Sequence, residues 1–209
     1  MLNNPVLIFD LDNTLFDRNR AMRQAMQCWL RQHPEVSHTL DEVMAQDAGG
    51  NTDRTAFCQW LMPAAAPDTL LRSIQQLIIG SLRPDAAIRQ LLEQLQRRYQ
   101  LVLASNGNGT IQRLKLAACG LTACFQHIFI SGEMGKAKPN PEFFREILKT
   151  LAISPAQACM IGDDLVNDIL GAQACGLNTC WVAYGETSDR NNPAIVIQHI
   201  TELHRWTEC

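Results

Sequence analysis

No stretch of this 209-residue chain is apolar for long enough to span a bilayer, no Cys-x-x-Cys pair occurs, and neither internal repeats nor low-complexity tracts are present. Neither sign of charge dominates, because 18 Lys plus Arg stand against 21 Asp plus Glu for a net charge of −3. A broad positive field that would attract a nucleic acid polymer or an anionic membrane is therefore excluded, and any anionic ligand must be held by a local site. The missing Cys-x-x-Cys pairs argue against structural zinc. The apolar run at 5–9 has no basic leader before it and stops at Asp10, which predicts a cytoplasmic protein. In that compartment the eight cysteines are expected as free thiols, several of them buried as small hydrophobes in apolar runs.

What is present is an alternation. Short β-type runs stand at 6–9, 101–104, 128–130, 159–161 and 179–182, and from about residue 85 onward helical patterns such as Ile88, Leu91, Leu92 and Leu95 separate them. The spacing predicts an α/β fold, a Rossmann-like parallel sheet with helices on both faces. In such a sheet the ligand crevice lies beyond the carboxyl ends of the strands, so the residues that follow each run carry the chemistry. Residues 17–83 interrupt the pattern with helical segments at 21–31, 40–45, 52–61 and 70–79 and no convincing strand. This predicts a catalytic core of residues 1–16 and 84–209, and an inserted all-helical cap of residues 17–83 over the crevice. Asn191, Asn192 and Pro193 are expected in a polar loop.

Four motifs follow the runs. Asp10-Leu11-Asp12-Asn13-Thr14 leaves the first strand with two carboxylates two residues apart, on one side of an extended chain. One carboxylate can attack phosphorus while its neighbour protonates the leaving oxygen and later activates water; an Asp-rich turn fits the same residues. Ser105-Asn106-Gly107-Asn108-Gly109 opens a helix, where hydroxyl and N–H groups can hold phosphate oxygens, so Ser105 and Asn106 are candidate phosphate contacts. In Gly135-Lys136-Ala137-Lys138-Pro139-Asn140-Pro141 the prolines fix a loop that presents Lys138 as a cation, with Lys136 read as a solvated charge. Gly162-Asp163-Asp164-Leu165-Val166-Asn167-Asp168 clusters carboxylates of the kind Mg²⁺ takes; Asp163 is the best ligand of this loop. Asp164 and Asp168 can ligate, orient water or pair with Lys138, and Asp168 can instead cap the helix that follows.

In this order, each at or near a strand end, the four motifs resemble those of the haloacid-dehalogenase-like hydrolase superfamily, in its phosphatase branch with a helical cap. The resemblance covers most of the chain. It implies Asp10 as nucleophile, Asp12 as general acid/base, Thr14 and Ser105 as phosphate contacts and Lys138 as charge stabiliser. It implies Mg²⁺ held by Asp10, Asp163 and the Asp12 backbone carbonyl, and a mobile cap that excludes water. The runs around Ser105 and Gly162 look like those of members that dephosphorylate nucleotides or flavin mononucleotide. A small phosphorylated metabolite is thus the expected partner, with the chain a monomer or homodimer.

Three other readings use the same residues: a 2-haloacid dehalogenase, a phosphomutase, and a non-catalytic phosphate-binding protein. The dehalogenases typically lack a carboxylate at the place of Asp12, so its presence together with Asp163 favours phosphoryl transfer. Substrate choice is expected from the cap, where glycines 49 and 50 allow close approach and Arg54 can pair with a second anionic group; a plain helix joint with a solvated Arg54 fits equally. Trp29, Phe57 and Trp60 read as cap core, and Trp181 and Trp206 as packing.

Overall fold

The computed structural model describes residues 6–186 and 195–207, so the loop expected at 191–193 lies outside the described residues, as do Pro5, Cys209 and the side chain of Trp206. The chain divides into two compact units, Met1–Phe16 with Pro84–Cys209, and Asp17–Arg83.

The first unit is built on a six-stranded, all-parallel sheet in the order β3-β2-β1-β4-β5-β6. Its strands are β1 (Val6–Phe9), β2 (Gln100–Ser105), β3 (His127–Ile130), β4 (Ala158–Gly162), β5 (Asn178–Val182) and β6 (Ile195–Ile197). Five coincide with the apolar runs; β6 is additional, a three-residue edge strand paired to β5. β1 is buried along its whole length, as expected of a central strand covered on both faces, and for that reason it reads as an unbroken apolar run with no alternation. One face of the sheet, carrying Val6, Ile8, Val102, Ala104 and Met160, packs on Phe143, Phe144, Ile147 and Leu148. Those four form the inward stripe of a helix, Pro141–Leu151, that starts with proline at its first position and is capped by the Asn140 side chain.

The second unit is helical: α1 (Arg18–Gln32), α2 (Leu40–Asp47), α3 (Arg54–Leu61) and α4 (Pro67–Ser81). α1 packs on α4 and α2, and α3 packs on α4. Each start is explained locally: Asp17 and Asp53 cap α1 and α3, Thr39 and Glu42 form a reciprocal capping box on α2, and Pro67 opens α4. Trp29 and Phe57 are buried with Met22, Met26, Val43, Leu61 and Ile74, while Trp60 is half-buried and stacks on His38. Inside this unit, buried Asp47 takes both Arg18 and Arg54: Arg18 Nη1 and Nη2 donate to its two oxygens and Arg54 Nη1 donates to Oδ1 at 2.8 Å. The two guanidiniums outweigh burial and hold the Asp47 carboxyl below its ordinary range. Gly50, at φ +100°, lies against the Arg18 guanidinium, where an added Cβ would come within 3.4 Å of Cζ. Among the described residues no helix is long and apolar enough to cross a membrane, and seven described cysteines are unpaired.

Candidate active site

In the order 3-2-1-4-5-6 the chain turns outward in opposite directions from β1 and β4, and the carboxyl ends of such a pair are where sheets of this kind bind ligands. The four motifs stand at the ends of β1, β2 and β4 and in the loop before the 141–151 helix. The ladder carries on one residue past β1, since the Asp10 N–H still donates to Ile161 O at 2.9 Å. The Asp10 backbone is therefore held by the sheet itself.

Lys138 organises the centre. Its side chain is 2% exposed, and Nζ donates to Asp10 Oδ1 at 2.6 Å, to Asp168 Oδ1 at 2.6 Å and to Ala104 O at 2.8 Å. Three acceptors match the three N–H bonds of an ammonium, so the cation is fully partnered. Burial alone would lower its pKa, but the Asp10 and Asp168 carboxylates outweigh that and hold it above the ordinary lysine value. Asn106 positions this lysine: its amide oxygen accepts from Lys138 N and its Nδ2 donates to Lys138 O, both at 2.9 Å. The expected phosphate contact at Asn106 thus has its side chain engaged with the backbone of the cationic residue. Lys136 is half-buried and approaches Glu142 at 3.8 Å.

One oxygen each from Asp10, Asp163 and Asp168 lies within 4.8 Å of the others. Three buried or half-buried carboxylates share one ammonium, and the deficit of positive charge shows in their titration. Burial pushes the Asp10 carboxyl well above its ordinary value, more than contact with Lys138 offsets. Asp168 is raised for the same reason, and Asp163 rises to about 7 through burial and the neighbouring Asp168. Hard oxygen donors crowded together with excess negative charge are the donor set a divalent cation such as Mg²⁺ fits. Thr14 Oγ1 donates to Asp163 Oδ1 at 3.1 Å.

The last two carboxylates divide between site and scaffold. Asp164 caps the turn that follows, accepting from the backbone N–H groups of Val166 and Asn167 and from Asn167 Nδ2. Asp168 serves both: Oδ2 accepts from Asp164 N at 3.2 Å at the start of the turn, and a wide π-type turn over Leu165–Leu170 delivers Oδ1 back onto Lys138. Gly162 makes that possible, because a Cβ there would stand 2.2 Å from Asp168 Oδ2. Arg54, expected as a specificity contact, is engaged within its own unit: Nε donates to Thr52 O at 2.8 Å and Nη1 to Asp47.

Three residues here carry no signal in the sequence, and a fourth has a second role. Lys115 and Gln112 donate to the Asp12 carboxylate. Trp181, read as packing, donates its indole N–H to Asp163 O at 2.8 Å, and the Tyr184 hydroxyl donates to Asn13 O at 2.6 Å. Asn13 itself sits at φ 59°, a left-handed position that asparagine tolerates better than most residues.

A family model for haloacid dehalogenase-like hydrolases matches residues 7–182. The chain is 34% identical over 201 residues to a glyceraldehyde 3-phosphate phosphatase of Pyrococcus abyssi, covering 87% of this chain and 82% of that one. Two other curated phosphatase relatives are matched over only 38% and 43% of their own length. Among solved structures, the HAD-hydrolase YfnB of Bacillus subtilis, bound to magnesium, superposes with a TM-score of 0.81 at 22% identity over 99% of both chains. A 2-haloacid dehalogenase of Pseudomonas syringae superposes with a TM-score of 0.68, also at 22% identity, over 98% of both. At that identity the two structures speak for the fold.

Proposed function

The chain belongs to the haloacid dehalogenase-like hydrolases, and from that premise we propose that it is a magnesium-dependent phosphatase acting on a small phosphate monoester, with Asp10 as the nucleophile. The observation that carries this reading is the Asp10 carboxylate, locked at the end of the central strand by Lys138 with Asp163 and Asp168 beside it. An Asp10 oxygen attacks phosphorus, the new P–O bond forms as the ester P–O bond breaks, and the Asp12 carboxyl gives its proton to the departing alkoxide. The Asp12 carboxylate then takes a proton from water, whose oxygen attacks the aspartyl phosphate and releases inorganic phosphate and free Asp10. Lys138 balances charge on Asp10 throughout, and the hydroxyls of Thr14 and Ser105 hold phosphate oxygens. Asp10, Asp163 and the Asp12 backbone carbonyl would hold Mg²⁺, which when bound supplies positive charge that offsets the repulsion between the anionic ester and the carboxylates.

Asp168 and Asp164 support the site, one through Lys138 and one by capping the turn. The helical unit serves in this reading as the cap that excludes water and selects the substrate, with Arg54 its candidate contact. The name of the Pyrococcus relative points to a small phosphorylated metabolite, and the loops around Ser105 and Gly162 keep nucleotides and flavin mononucleotide among the esters to test. A cytoplasmic location and a monomeric or homodimeric state complete the proposal.

The test is phosphate release from p-nitrophenyl phosphate and a panel of metabolite phosphates, with Mg²⁺ or EDTA, by wild type and Asp10→Asn. Release that needs Mg²⁺ and vanishes in Asp10→Asn is expected. Halide release from a 2-haloacid, or a sugar phosphate isomer in place of free phosphate, would move the chain to the dehalogenase or phosphomutase reading of the same fold. Phosphate binding without turnover would make it a binding protein.

A further inference from the structure

Asp12 is gripped by the helix that follows β2, Gly109–Ala118. Lys115 Nζ donates to Asp12 Oδ1 at 2.7 Å and lies 3.0 Å from Oδ2, and Gln112 Nε2 donates to Oδ2 at 2.6 Å. The two residues are three apart and so share one face of the helix. Both are buried, which is rare for lysine, and placing an ammonium there is costly unless a partner compensates it. The same Gln112 nitrogen also lies 2.6 Å from Ser105 Oγ. One amide therefore spans the hydroxyl that contacts phosphate and the carboxylate that moves the proton, while a cation holds that carboxylate from the helix.

We propose that Lys115 and Gln112 are positioning residues that fix the orientation of the Asp12 carboxylate for proton transfer, and that Gln112 ties this orientation to Ser105. The proposal rests on the phosphatase reading. Aspartate has two side-chain torsions, and donors on both of its oxygens leave it little choice of rotamer. Proton transfer requires the carboxyl group within hydrogen-bond reach of the leaving oxygen, and a displacement of about 1 Å in such a group costs on the order of 100-fold. A loosened Asp12 should thus penalise the esters that depend on it most. Those are the esters with basic leaving groups, which cannot depart without a proton; p-nitrophenolate departs without one.

The experiment compares kcat/KM for p-nitrophenyl phosphate and unsubstituted phenyl phosphate, two esters of nearly the same shape, in wild type, Lys115→Met, Gln112→Leu and Leu116→Ala. Leu116 is buried on the same helix, so its truncation reports what a packing defect alone does. For Lys115→Met and Gln112→Leu, phenyl phosphate turnover should fall by roughly 100-fold and p-nitrophenyl phosphate turnover by under about 10-fold, while Leu116→Ala lowers both alike. Equal losses on the two esters in Lys115→Met and Gln112→Leu would overturn the proposal and make the pair a structural clamp. Should Lys115→Met fail to fold, Gln112→Leu decides by the same ratio. Wild-type hydrolysis of p-nitrophenyl phosphate that Asp10→Asn abolishes keeps the phosphatase reading standing whichever way the ratio falls; no wild-type hydrolysis of either ester refutes that reading instead.

Discussion

Replacing Lys138 by Met removes the ammonium while keeping most of the side-chain volume, and it tests the electrostatic account of the site directly. In the wild type this group satisfies Asp10, Asp168 and Ala104 O at once. Removing one partner of a buried ion pair costs about 3–5 kcal/mol, because the charge left behind has neither water nor counter-ion. Here the orphaned carboxylates have an escape, since each can take up a proton. Their folded pKa values, already above the ordinary range, would rise further in the variant. A carboxyl whose folded pKa exceeds its unfolded one loses stability as pH rises between the two, because the folded state must then surrender a proton it holds or bury a charge. The deficit relative to wild type should therefore be about 3–5 kcal/mol at pH 8, or roughly 6–20 °C in Tm for a chain of this size, and shrink toward about 1 kcal/mol near pH 5. Urea unfolding of both proteins in EDTA at the two pH values measures it. A deficit that does not change with pH, or one below about 1 kcal/mol at pH 8, would refute the account in which three carboxylates compete for this one cation.

Three further outcomes follow from the same cluster. Gly162→Ala places a methyl group 2.2 Å from Asp168 Oδ2 and 2.6 Å from its Cβ, so Asp168 must leave Lys138; a loss of about 1–3 kcal/mol by urea unfolding and at least a roughly tenfold fall in kcat are expected, and wild-type values would show the turn yields without moving Asp168. Without metal, Asp163 at about 7 holds on folding a proton that the unfolded chain releases near 4, so stability should decline as pH rises through that window by at most about 4 kcal/mol. Mg²⁺ needs those carboxylates ionised, and the rise in Tm it causes should be larger at pH 8 than at pH 5.5; a thermal shift that is absent, or equal at the two pH values, would count against the metal site.

The strand ends were legible because a central parallel strand is buried on both faces and its apolar run stops abruptly where chemistry begins, as at Phe9 before Asp10 and Ile161 and Gly162 before Asp163. β6 was not legible: three residues on a sheet edge carry too short a pattern to separate from a loop. The roles of Lys115 and Gln112 depend on which way one helix face turns in three dimensions, and their spacing looks like that of any solvated helix residue. A buried position for the lysine is the signal, and it exists only in the fold. Asn106 illustrates a different limit, because a short polar side chain in a strand-end loop serves a backbone as readily as a ligand, and sequence cannot tell the two apart. The same holds for Trp181, whose bulk packs as read while its one N–H holds the loop that carries Asp163.

The strand that bears Asp10 lies between partners that the ribosome makes much later: Val6 pairs with Gln100 on one side and with Ala158 on the other. During synthesis the segment Val-Leu-Ile-Phe must therefore wait, sticky and unpaired, until residues 100–103 and then 158–161 have been made before both edges are covered. A nascent chain stalled ahead of β4 would display one bare edge of this strand together with Asp10 at its end, without Lys138's second carboxylate partner, Asp168, to complete the charge balance. Closure of this charge network is thus tied to the synthesis of residues 158–168, and chains that stop short of them are where chaperone engagement and aggregation should concentrate.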